Sequence, residues 1–345
     1  MSDNPVRFLP SRVFIEEAAL EYPLTKALSE RLREHGIPAQ VLKRGQRPSI
    51  PGSNPSQVYL ESKRTLVVRV RKQRTFEPCK PSAHYQLPLV TSCPGLCEYC
   101  YLQTRLGPRP YMRVYANIEA ILDEAARLIA ERQPEITVFE GAATSDPLSV
   151  EWLTGSLKTA IEFIGQMEYG RFRFVTKYAD VDPILDARHQ GKTTVRFSLN
   201  AEYVLRAFEH RTAGLDARIR ALKEVADAGY PVGIMIGPII IFEGWRSQYE
   251  SLLRSLGSVL AGSTPQGAIP FELITHRFTK RAKANIQEVF PNSRLPMDES
   301  GRRLVYGQFG YTKHVYPKET MREIQDFFEG MIPKHVQGGR VQYLV

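Results

Sequence analysis

The sequence feature that most constrains this chain is a short loop that holds three of its four cysteines. Cys93, Cys97 and Cys100 are spaced C-x3-C-x2-C, with Tyr99 directly before the last cysteine. Three thiolates on one loop can bind three irons of a [4Fe–4S] cluster and leave the fourth iron without a protein ligand. A zinc site is the alternative, but structural zinc prefers four closed ligands, and the remaining cysteine, Cys79, lies well upstream. The spacing therefore favours an iron–sulfur cluster with one open iron.

The composition is that of a basic globular protein. The chain has 345 residues, is 43% hydrophobic and carries a formal net charge of +9, which suits one large domain with appendages or two domains. A basic balance favours a polyanionic partner such as nucleic acid. We find no apolar run that could span a bilayer and no charged-then-apolar leader, so we expect a cytoplasmic protein with no membrane partner. Clustered cysteines in that reducing compartment indicate metal rather than disulfides.

Residues 1–60 are expected to form an N-terminal cap. A short amphipathic helix is predicted from Leu24 to His35, with Pro23 near its start and Gly36 as its stop. Turn-rich residues 44–55 follow as a linker. A β-branched strand over residues 65–70 then runs into a basic set that could hold backbone phosphates. This set consists of Arg69, Arg71, Lys72 and Arg74.

Strands alternate with helices from residue 86 onward, which implies a parallel sheet with right-handed crossovers. A short strand over residues 87–90 leads directly into the cysteine loop, and its Pro88 places it at a sheet edge. We therefore predict an α/β fold: a partial (β/α)6 TIM-type barrel over residues 61–275, between the cap and a C-terminal β-hairpin/helix extension over residues 276–345. An open doubly wound sheet is the structural alternative.

The cysteine spacing, together with its aromatic residue, resembles the signature of the radical SAM enzymes. In that superfamily the open iron chelates the amino and carboxylate groups of S-adenosylmethionine and passes an electron to its sulfonium. Polar groups that suit this cofactor follow three consecutive predicted strands, at the end of a barrel where chemistry gathers. Glu140 and Ser145 could bind the ammonium of the cofactor, and Lys177 could bind its carboxylate. Ser198 and Asn200 could bind the ribose hydroxyls.

The C-terminal extension combines basic and aromatic residues. A basic cluster opens it, and residues 304–316 alternate like a hairpin with glycines at the bend. Such a surface can grip phosphates and wedge or stack against bases, although a hairpin that merely covers the barrel would have the same pattern. The predicted DNA contacts are Arg277, Lys280, Arg281, Arg303, Tyr306 and Phe309.

Several longer segments look like the spore photoproduct lyase family. They are Lys80-Pro81-Ser82-Ala83-His84-Tyr85, Pro110-Tyr111-Met112-Arg113-Val114-Tyr115, Phe174-Val175-Thr176-Lys177-Tyr178, and the stretch from Phe271 to Lys280. The resemblance runs from about residue 60 to the C-terminus and more loosely through the cap. Its motifs are specific, because an unrelated radical SAM protein would share little beyond the three cysteines.

The resemblance implies a DNA-repair lyase that reverts 5-thyminyl-5,6-dihydrothymine in double-stranded DNA to two thymines through a 5′-deoxyadenosyl radical. It implies a [4Fe–4S] cluster on Cys93, Cys97 and Cys100, with S-adenosylmethionine as the second cofactor. Tyr99 and Tyr101 resemble tyrosines that help to relay a hydrogen atom, although plain packing against the cluster is their alternative. We expect a monomer that receives its electron from a donor such as flavodoxin or ferredoxin.

One position departs from the family pattern. The family places a hydrogen-donating cysteine where this chain has Ala143, which carries no labile hydrogen. In one hypothesis the chain is a variant, natural or engineered, whose donor has been replaced and whose repair is incomplete. In the other, Cys79 is a relocated donor, with Lys80 beside it favouring the thiolate.

Two further functions stay open at this point. The chain could be a radical SAM enzyme that acts on RNA or a peptide, or a catalytically inactive iron–sulfur protein that binds DNA. The second is suggested by Ala143. Cleavage of S-adenosylmethionine to 5′-deoxyadenosine by the reduced protein would separate an enzyme from a binding protein.

Overall fold

The structure is a computed structural model that describes residues 6–262, 267–307 and 312–345. The chain divides into two compact units. The first unit comprises Met1–Pro94 and Pro108–Val195, and the second comprises Gly95–Gly107 and Arg196–Val345. The cysteine loop therefore contributes Cys93 to the first unit and Cys97 and Cys100 to the second. The expected division into cap, barrel and extension stays a prediction.

From residue 112 to residue 275, each strand is separated from the next by at least one helix. The strands are β1 (Arg12–Glu16), β2 (Ala39–Leu42), β3 (Thr65–Arg69), β4 (Tyr85–Gln86), β5 (Val90–Thr91), β6 (Met112–Tyr115), β7 (Thr137–Glu140), β8 (Gly170–Thr176), β9 (Thr193–Leu199), β10 (Val232–Ile239), β11 (Ile269–Thr275), β12 (Arg303–Tyr306), β13 (Thr312–Val315) and β14 (Gly339–Leu344). The helices are α1 (Pro23–Glu34), α2 (Pro55–Ser62), α3 (Leu102–Arg105), α4 (Ile118–Arg132), α5 (Glu151–Thr154), α6 (Ser156–Gln166), α7 (Asp182–Leu185), α8 (Glu202–Phe208), α9 (Leu215–Asp227), α10 (Trp245–Leu260), α11 (Lys280–Val289) and α12 (Lys318–His335).

The first unit contains a five-stranded sheet with the order β2-β1-β3-β6-β5. Its first four strands are parallel, and β5 pairs antiparallel with β6 at the edge. In place of the predicted strand over residues 87–90, the structure has the two-residue strand Val90–Thr91, which shares only Val90 with the prediction. Pro88 has no N–H to donate, and Leu87 N donates instead to Glu140 O at 2.9 Å. The strand before the cysteine loop is indeed an edge strand, but it belongs to this sheet and does not begin a barrel.

The first unit also pairs β4, β7 and β8 in parallel around a buried aromatic core. Phe139, Phe172 and Phe174 are fully buried there. Gly141 follows β7, and a Cβ at this position would lie 2.6 Å from the Phe172 ring. Packing alone therefore requires glycine at Gly141, whether or not a ligand approaches its backbone.

In the second unit, β10, β11 and β14 are parallel neighbours, and α10 packs with α12. Arg196 and Glu272 form a buried ion pair at 2.7 Å. The predicted hairpin is present as the antiparallel pair β12 and β13, and its bend lies outside the described residues. No sheet closes on itself in the described part of the chain. The mixed α/β class is thus confirmed, while a barrel is not.

No described helix combines the length and the apolar character needed to cross a bilayer.

A buried carboxylate at the start of α5 caps the first turn of α6 in the first unit. Glu151 is 2% exposed and accepts hydrogen bonds from the backbone N–H groups of Leu157 at 2.8 Å and Lys158 at 2.9 Å. Burial raises the pKa of Glu151 to about 7, against the lowering effect of these bonds. The folded protein therefore binds a proton more tightly here than the unfolded chain does.

This shift predicts that stability falls as the pH rises from about 4.5 through 7, because folding then requires a buried negative charge. The free energy of unfolding should decrease by roughly 3 kcal/mol from this group. Glu151→Gln should remove that decrease in urea unfolding at pH 4.5 and pH 8, whereas the exposed control Glu168→Gln should keep it. If the free energy of unfolding changed with pH to the same extent in both variants, the raised pKa could not be assigned to Glu151.

Candidate functional site

The start of the cysteine loop is fastened within the first unit by Ser92. This buried residue has a φ of 75°. Its N–H donates to Thr144 O at 2.8 Å, and its hydroxyl donates to Pro110 O at 2.6 Å. Ser92 also forms an isolated parallel bridge with Ser145. These contacts bring Cys93 beside the segment that follows β7, where the sequence predicts cofactor contacts.

A buried cation lies against the same end of the loop. The side chain of Lys63 is fully buried, and its Nζ donates to Cys93 O at 2.7 Å. The ammonium lies 5.3 Å from the Tyr59 ring, and within the described ranges no carboxylate forms an ion pair with it. A buried positive charge stabilises nearby negative charge. Lys63 therefore suits thiolate ligands next to it, and sequence reasoning missed this residue.

Glu140 is already engaged by the protein. Its carboxylate is 3% exposed and accepts hydrogen bonds from Ser82 Oγ at 2.9 Å and Ala142 N at 3.1 Å. Arg173 Nε lies 3.6 Å from the oxygen that Ser82 contacts. These contacts fix the segment after β7. A direct bond from Glu140 to a cofactor ammonium stays a prediction.

Asp146 joins the ends of β7 and β8. Its carboxylate accepts from Thr176 Oγ1 and from Lys177 N, both at 2.8 Å. The side chain of Lys177 is half-buried, and the hydroxyl of Tyr178 lies 3.9 Å from Cys93 Sγ. The first unit thus brings together the predicted Cys93, Ser145 and Lys177, with Asp146 as a positioning residue that the sequence did not reveal.

The second unit holds the other two cysteines in a turn. Cys97 is buried, Cys100 is half-buried, and Cys100 N donates to Cys97 O at 3.1 Å. Glu98 N donates to Phe208 O at 2.9 Å, which anchors the turn to the end of α8. Tyr101 is 57% exposed, so its ring is accessible from outside the unit.

Tyr99 differs from Tyr101 because it is bound to a buried ion pair. Its hydroxyl donates to Glu209, which pairs with the fully buried Arg218 at 2.7 Å. Arg218 also donates to Ala213 O and to Ser198 O, both at 2.8 Å. Burial, and then the charge of Glu209, raise the pKa of Tyr99 well above its ordinary value. Tyr99 is therefore a neutral phenol with a fixed orientation.

The two residues predicted at the end of β9 have different surroundings. The Ser198 hydroxyl is buried and has no hydrogen-bond partner in the part of the chain that the structure describes. Asn200 is engaged at both atoms of its amide: its Nδ2 donates to Pro238 O and its Oδ1 accepts from the Tyr249 hydroxyl, each at 2.8 Å. An unsatisfied buried hydroxyl is costly, so Ser198 is the better candidate for a ligand hydroxyl.

The donor set fits a [4Fe–4S] cluster. None of the four cysteines forms a disulfide. Among the residues described, no three or more His, Cys, Asp or Glu side chains are grouped as ligands of a single metal ion. In a cluster, however, each thiolate binds a different iron, so the ligands need not converge on one point. Three thiols on one loop therefore fit a cluster. Each unit also offers one group suited to a charged or polar ligand: the buried cation of Lys63 in the first, and the unpaired hydroxyl of Ser198 in the second.

The predicted DNA contacts lie in the second unit and are exposed where the structure describes them. Arg277 precedes α11, and Lys280 and Arg281 form its first turn. Arg303 and Tyr306 lie on β12, and Tyr306 is 78% exposed. Phe309 lies outside the described residues.

The buried pair behind Tyr99 gives a stability prediction. Arg218→Met should lower the free energy of unfolding by about 3–5 kcal/mol, because the carboxylate of Glu209 would stay buried without its counter-ion. Arg220→Met changes an exposed arginine on the same helix and should shift it by no more than about 0.5 kcal/mol. Urea unfolding measures both, and equal effects would show that the pair contributes nothing specific.

Comparison with known proteins identifies the family. The family model described as spore photoproduct lyase matches residues 8–345. Curated spore photoproduct lyases from Clostridium acetobutylicum and Bacillus subtilis are 43% and 44% identical to this chain. The first match covers 97% of this chain and 98% of the relative, and the second covers 99% of both.

Solved structures lead to the same family. One is a spore photoproduct lyase mutant with bound AdoMet and dinucleoside spore photoproduct, in which a cysteine is replaced by alanine and a serine by cysteine. It is 47% identical to this chain, with a TM-score of 0.94. That match covers 98% of this chain and 99% of the mutant's chain. A spore photoproduct lyase complexed with dinucleoside spore photoproduct has a TM-score of 0.93 at 46% identity, over 98% and 99% of the two chains. With a family model and close relatives that span nearly all of its length, this chain belongs to the spore photoproduct lyase family.

Proposed function

We propose that this chain is a radical SAM lyase that reverts spore photoproduct in DNA to two thymines. The observation that carries the proposal is its likeness, over nearly the whole chain, to a lyase mutant solved with both AdoMet and dinucleoside spore photoproduct. The three-cysteine loop supplies the donor set for the cluster. Parallel strands that end in polar groups support a partial barrel as the scaffold, with the cap and the extension at either end of the chain.

Each residue of the candidate site then has a role. Cys93, Cys97 and Cys100 would hold the [4Fe–4S] cluster, which together with S-adenosylmethionine would supply the radical chemistry needed to remove a hydrogen atom from the lesion. Lys177 would pair with the cofactor carboxylate, and Ser198 would bind a ribose hydroxyl. Ser145, in the segment after β7, would bind the cofactor ammonium, while Glu140 and Asn200 would hold the ends of β7 and β9 in place.

Cys79 is the hydrogen donor that we favour. It lies in a tight turn in which Cys79 N donates to His84 O at 3.1 Å. The same turn is bound to the end of β7, because His84 N donates to Val138 O at 3.0 Å and Ser82 contacts Glu140. Ala143 lies three residues beyond Glu140. These contacts support Cys79 as a thiol that could act in place of one at position 143.

The comparison structure supports this choice. In that double mutant the introduced cysteine precedes the introduced alanine by 64 residues, and Cys79 precedes Ala143 by the same 64 residues. The S–H bond of Cys79 would break and a C–H bond would form on the thymine radical, which leaves a thiyl radical. Tyr99 and Tyr101 could then relay a hydrogen atom back. The other hypothesis, in which the donor cysteine at position 143 has been replaced and no other thiol takes over its role, is less favoured.

The partners follow from the same proposal. The substrate would be double-stranded DNA that carries the thymine dimer, held in part by the exposed cations and Tyr306 of the C-terminal extension. The lesion must be turned out of the base stack to reach the radical, which costs less at a damaged step. A reduced carrier such as flavodoxin or ferredoxin would supply the electron to a monomeric enzyme.

Anaerobic turnover on the dinucleoside lesion tests the function. The reconstituted and reduced protein should form 5′-deoxyadenosine and methionine and convert the dinucleoside lesion to its repaired form. Cys97→Ala, which removes one cluster ligand, is the matched control and should form neither. Cofactor binding without any cleavage by the wild-type protein would instead favour an inactive DNA-binding protein, and cleavage without repair would favour another substrate.

Two substitutions test the donor. Cys79→Ala should keep cofactor cleavage but convert clean repair into a mixture with adducts on the thymine, because no thiol is left to donate. Adding Ala143→Cys to that variant should restore clean repair. Product analysis by liquid chromatography and mass spectrometry measures both. An unchanged product mixture in Cys79→Ala, with cleaner products from Ala143→Cys alone, would support the replaced-donor hypothesis and exclude a role for Cys79.

A further inference from the structure

Almost all of the net charge of this chain is concentrated in one stretch of the first unit. Residues 39–76 contain nine Lys and Arg residues and a single acidic residue, Glu61. They therefore carry +8 of the formal net charge of +9. The rest of the chain is nearly neutral, so any long-range attraction to a polyanion originates mainly from this stretch.

The fold brings two basic loops of this stretch to one edge of a sheet. The first loop, residues 43–49, follows β2, and the second, residues 70–75, follows β3. In the five-stranded sheet β2 and β3 flank β1 and run parallel to it, with Leu42 in register with Glu16 and the last residues of β3 beside the last residues of β1. The two loops therefore leave the sheet at the same edge. They start about 10 Å apart, because β1 lies between β2 and β3 and neighbouring strands are about 4.8 Å apart. We call them the N-terminal basic loops.

Some cations of this stretch are used inside the protein. Arg69 pairs with Glu16 at 3.3 Å. Arg71 folds the second loop: its guanidinium donates to Thr75 O at 2.8 Å and its N–H donates to Asn117 Oδ1 at 2.8 Å. These contacts give the second loop a fixed shape, from which its remaining cations project.

Five cations of the N-terminal basic loops face solvent without a counter-ion. All five side chains are exposed, and within the described ranges none of them forms an ion pair. They are Lys43, Arg44, Arg47, Lys72 and Arg74. Five like charges on two adjacent loops repel one another, and bound anions would relieve that repulsion.

The chemistry of these loops suits phosphates better than a protein partner. Apart from the cations, the exposed positions at 45, 46, 49, 73 and 75 are glycine, glutamine, serine or threonine, and no large apolar side chain is exposed on either loop. Protein interfaces are instead centred on aromatic and other apolar residues. DNA carries one negative charge per about 1.7 Å of helix axis and is contacted mainly through such basic and small polar residues.

We propose that the N-terminal basic loops form a second docking surface for the phosphate backbone of duplex DNA that flanks the lesion. The choice of DNA rests on the proposed function. The surface is made of other residues than the cations of the C-terminal extension, and a dinucleoside substrate, which has no flanking duplex, would not require it. It would raise affinity for duplexes in a salt-dependent manner and without sequence preference.

A quadruple variant tests the surface: Arg44→Gln, Arg47→Gln, Lys72→Gln and Arg74→Gln. Its affinity for a duplex of about 20 base pairs with one lesion, measured by fluorescence anisotropy near 0.1 M salt, should fall roughly 10- to 100-fold. The slope of log K against log salt should become shallower by about 3–4, since each phosphate contact contributes about 0.9. Turnover of the dinucleoside lesion should stay unchanged.

A control variant removes the same charge elsewhere, and it should keep the wild-type slope. Its substitutions are Lys26→Gln, Arg33→Gln, Arg188→Gln and Arg206→Gln, all at exposed positions.

If the quadruple variant kept the duplex affinity and the salt slope of the wild-type protein, the proposal would be overturned. A loss of turnover with flavodoxin but not with dithionite would then assign the loops to an acidic carrier protein. If the wild-type protein fails to repair the dinucleoside, the proposed function fails, while the binding slopes still decide the docking surface.

Discussion

The second-unit part of the cysteine loop depends on the buried ion pair of Arg218 and Glu209. Burying a guanidinium is costly unless all of its donors find acceptors, and Arg218 reaches a carboxylate, the hydroxyl of Thr212 and two backbone carbonyls. One of those carbonyls belongs to Ser198 at the end of β9, and the carboxylate accepts from Tyr99 in the loop. A single charged group thus fixes a predicted cluster turn and a predicted cofactor residue with respect to each other.

The first unit achieves the same result with polar contacts around its own end of the loop. Ser92 binds the loop to the segment after β7, and Asp146 binds that segment to the end of β8. Lys63 adds a buried positive charge at Cys93. None of these residues is proposed to touch the substrate. Their common effect is to preorganise groups that would have to hold a cofactor, which lowers the entropy cost of binding it.

Local sequence signals predicted what depends on local geometry. The cysteine spacing, helix α1 between Pro23 and Gly36, and the two strands of the C-terminal hairpin could all be recognised from short patterns. The strand over residues 87–90 was placed too early, because the carbonyl of Glu140, distant in sequence, accepts the N–H of Leu87. The side chain of Asn200 has hydrogen-bond partners that are distant in the sequence, whereas the hydroxyl of Ser198 has none among the described residues. No short sequence pattern could predict this difference.

One missed residue did leave a signal. Arg218 lies four residues before Leu222 and seven before Val225, so helical periodicity places it on the buried face of α9. A charged residue on such a face predicts a buried partner. The contact between the turn that holds Cys79 and the end of β7 had no such signal, because the two segments are distant in the sequence. The pairing of β4 with β7 and the hydrogen bond from His84 N to Val138 O bring these segments together.

The central claim is that the three-cysteine loop binds a [4Fe–4S] cluster with one iron open to S-adenosylmethionine. Mössbauer spectroscopy of anaerobically reconstituted, ⁵⁷Fe-labelled protein tests this most directly. We expect a cluster spectrum in which one iron of the four changes its parameters when S-adenosylmethionine is added, while the three thiolate-bound irons keep theirs. A protein that retains zinc instead of iron and sulfide, or a cluster whose spectrum ignores the cofactor, would contradict the account.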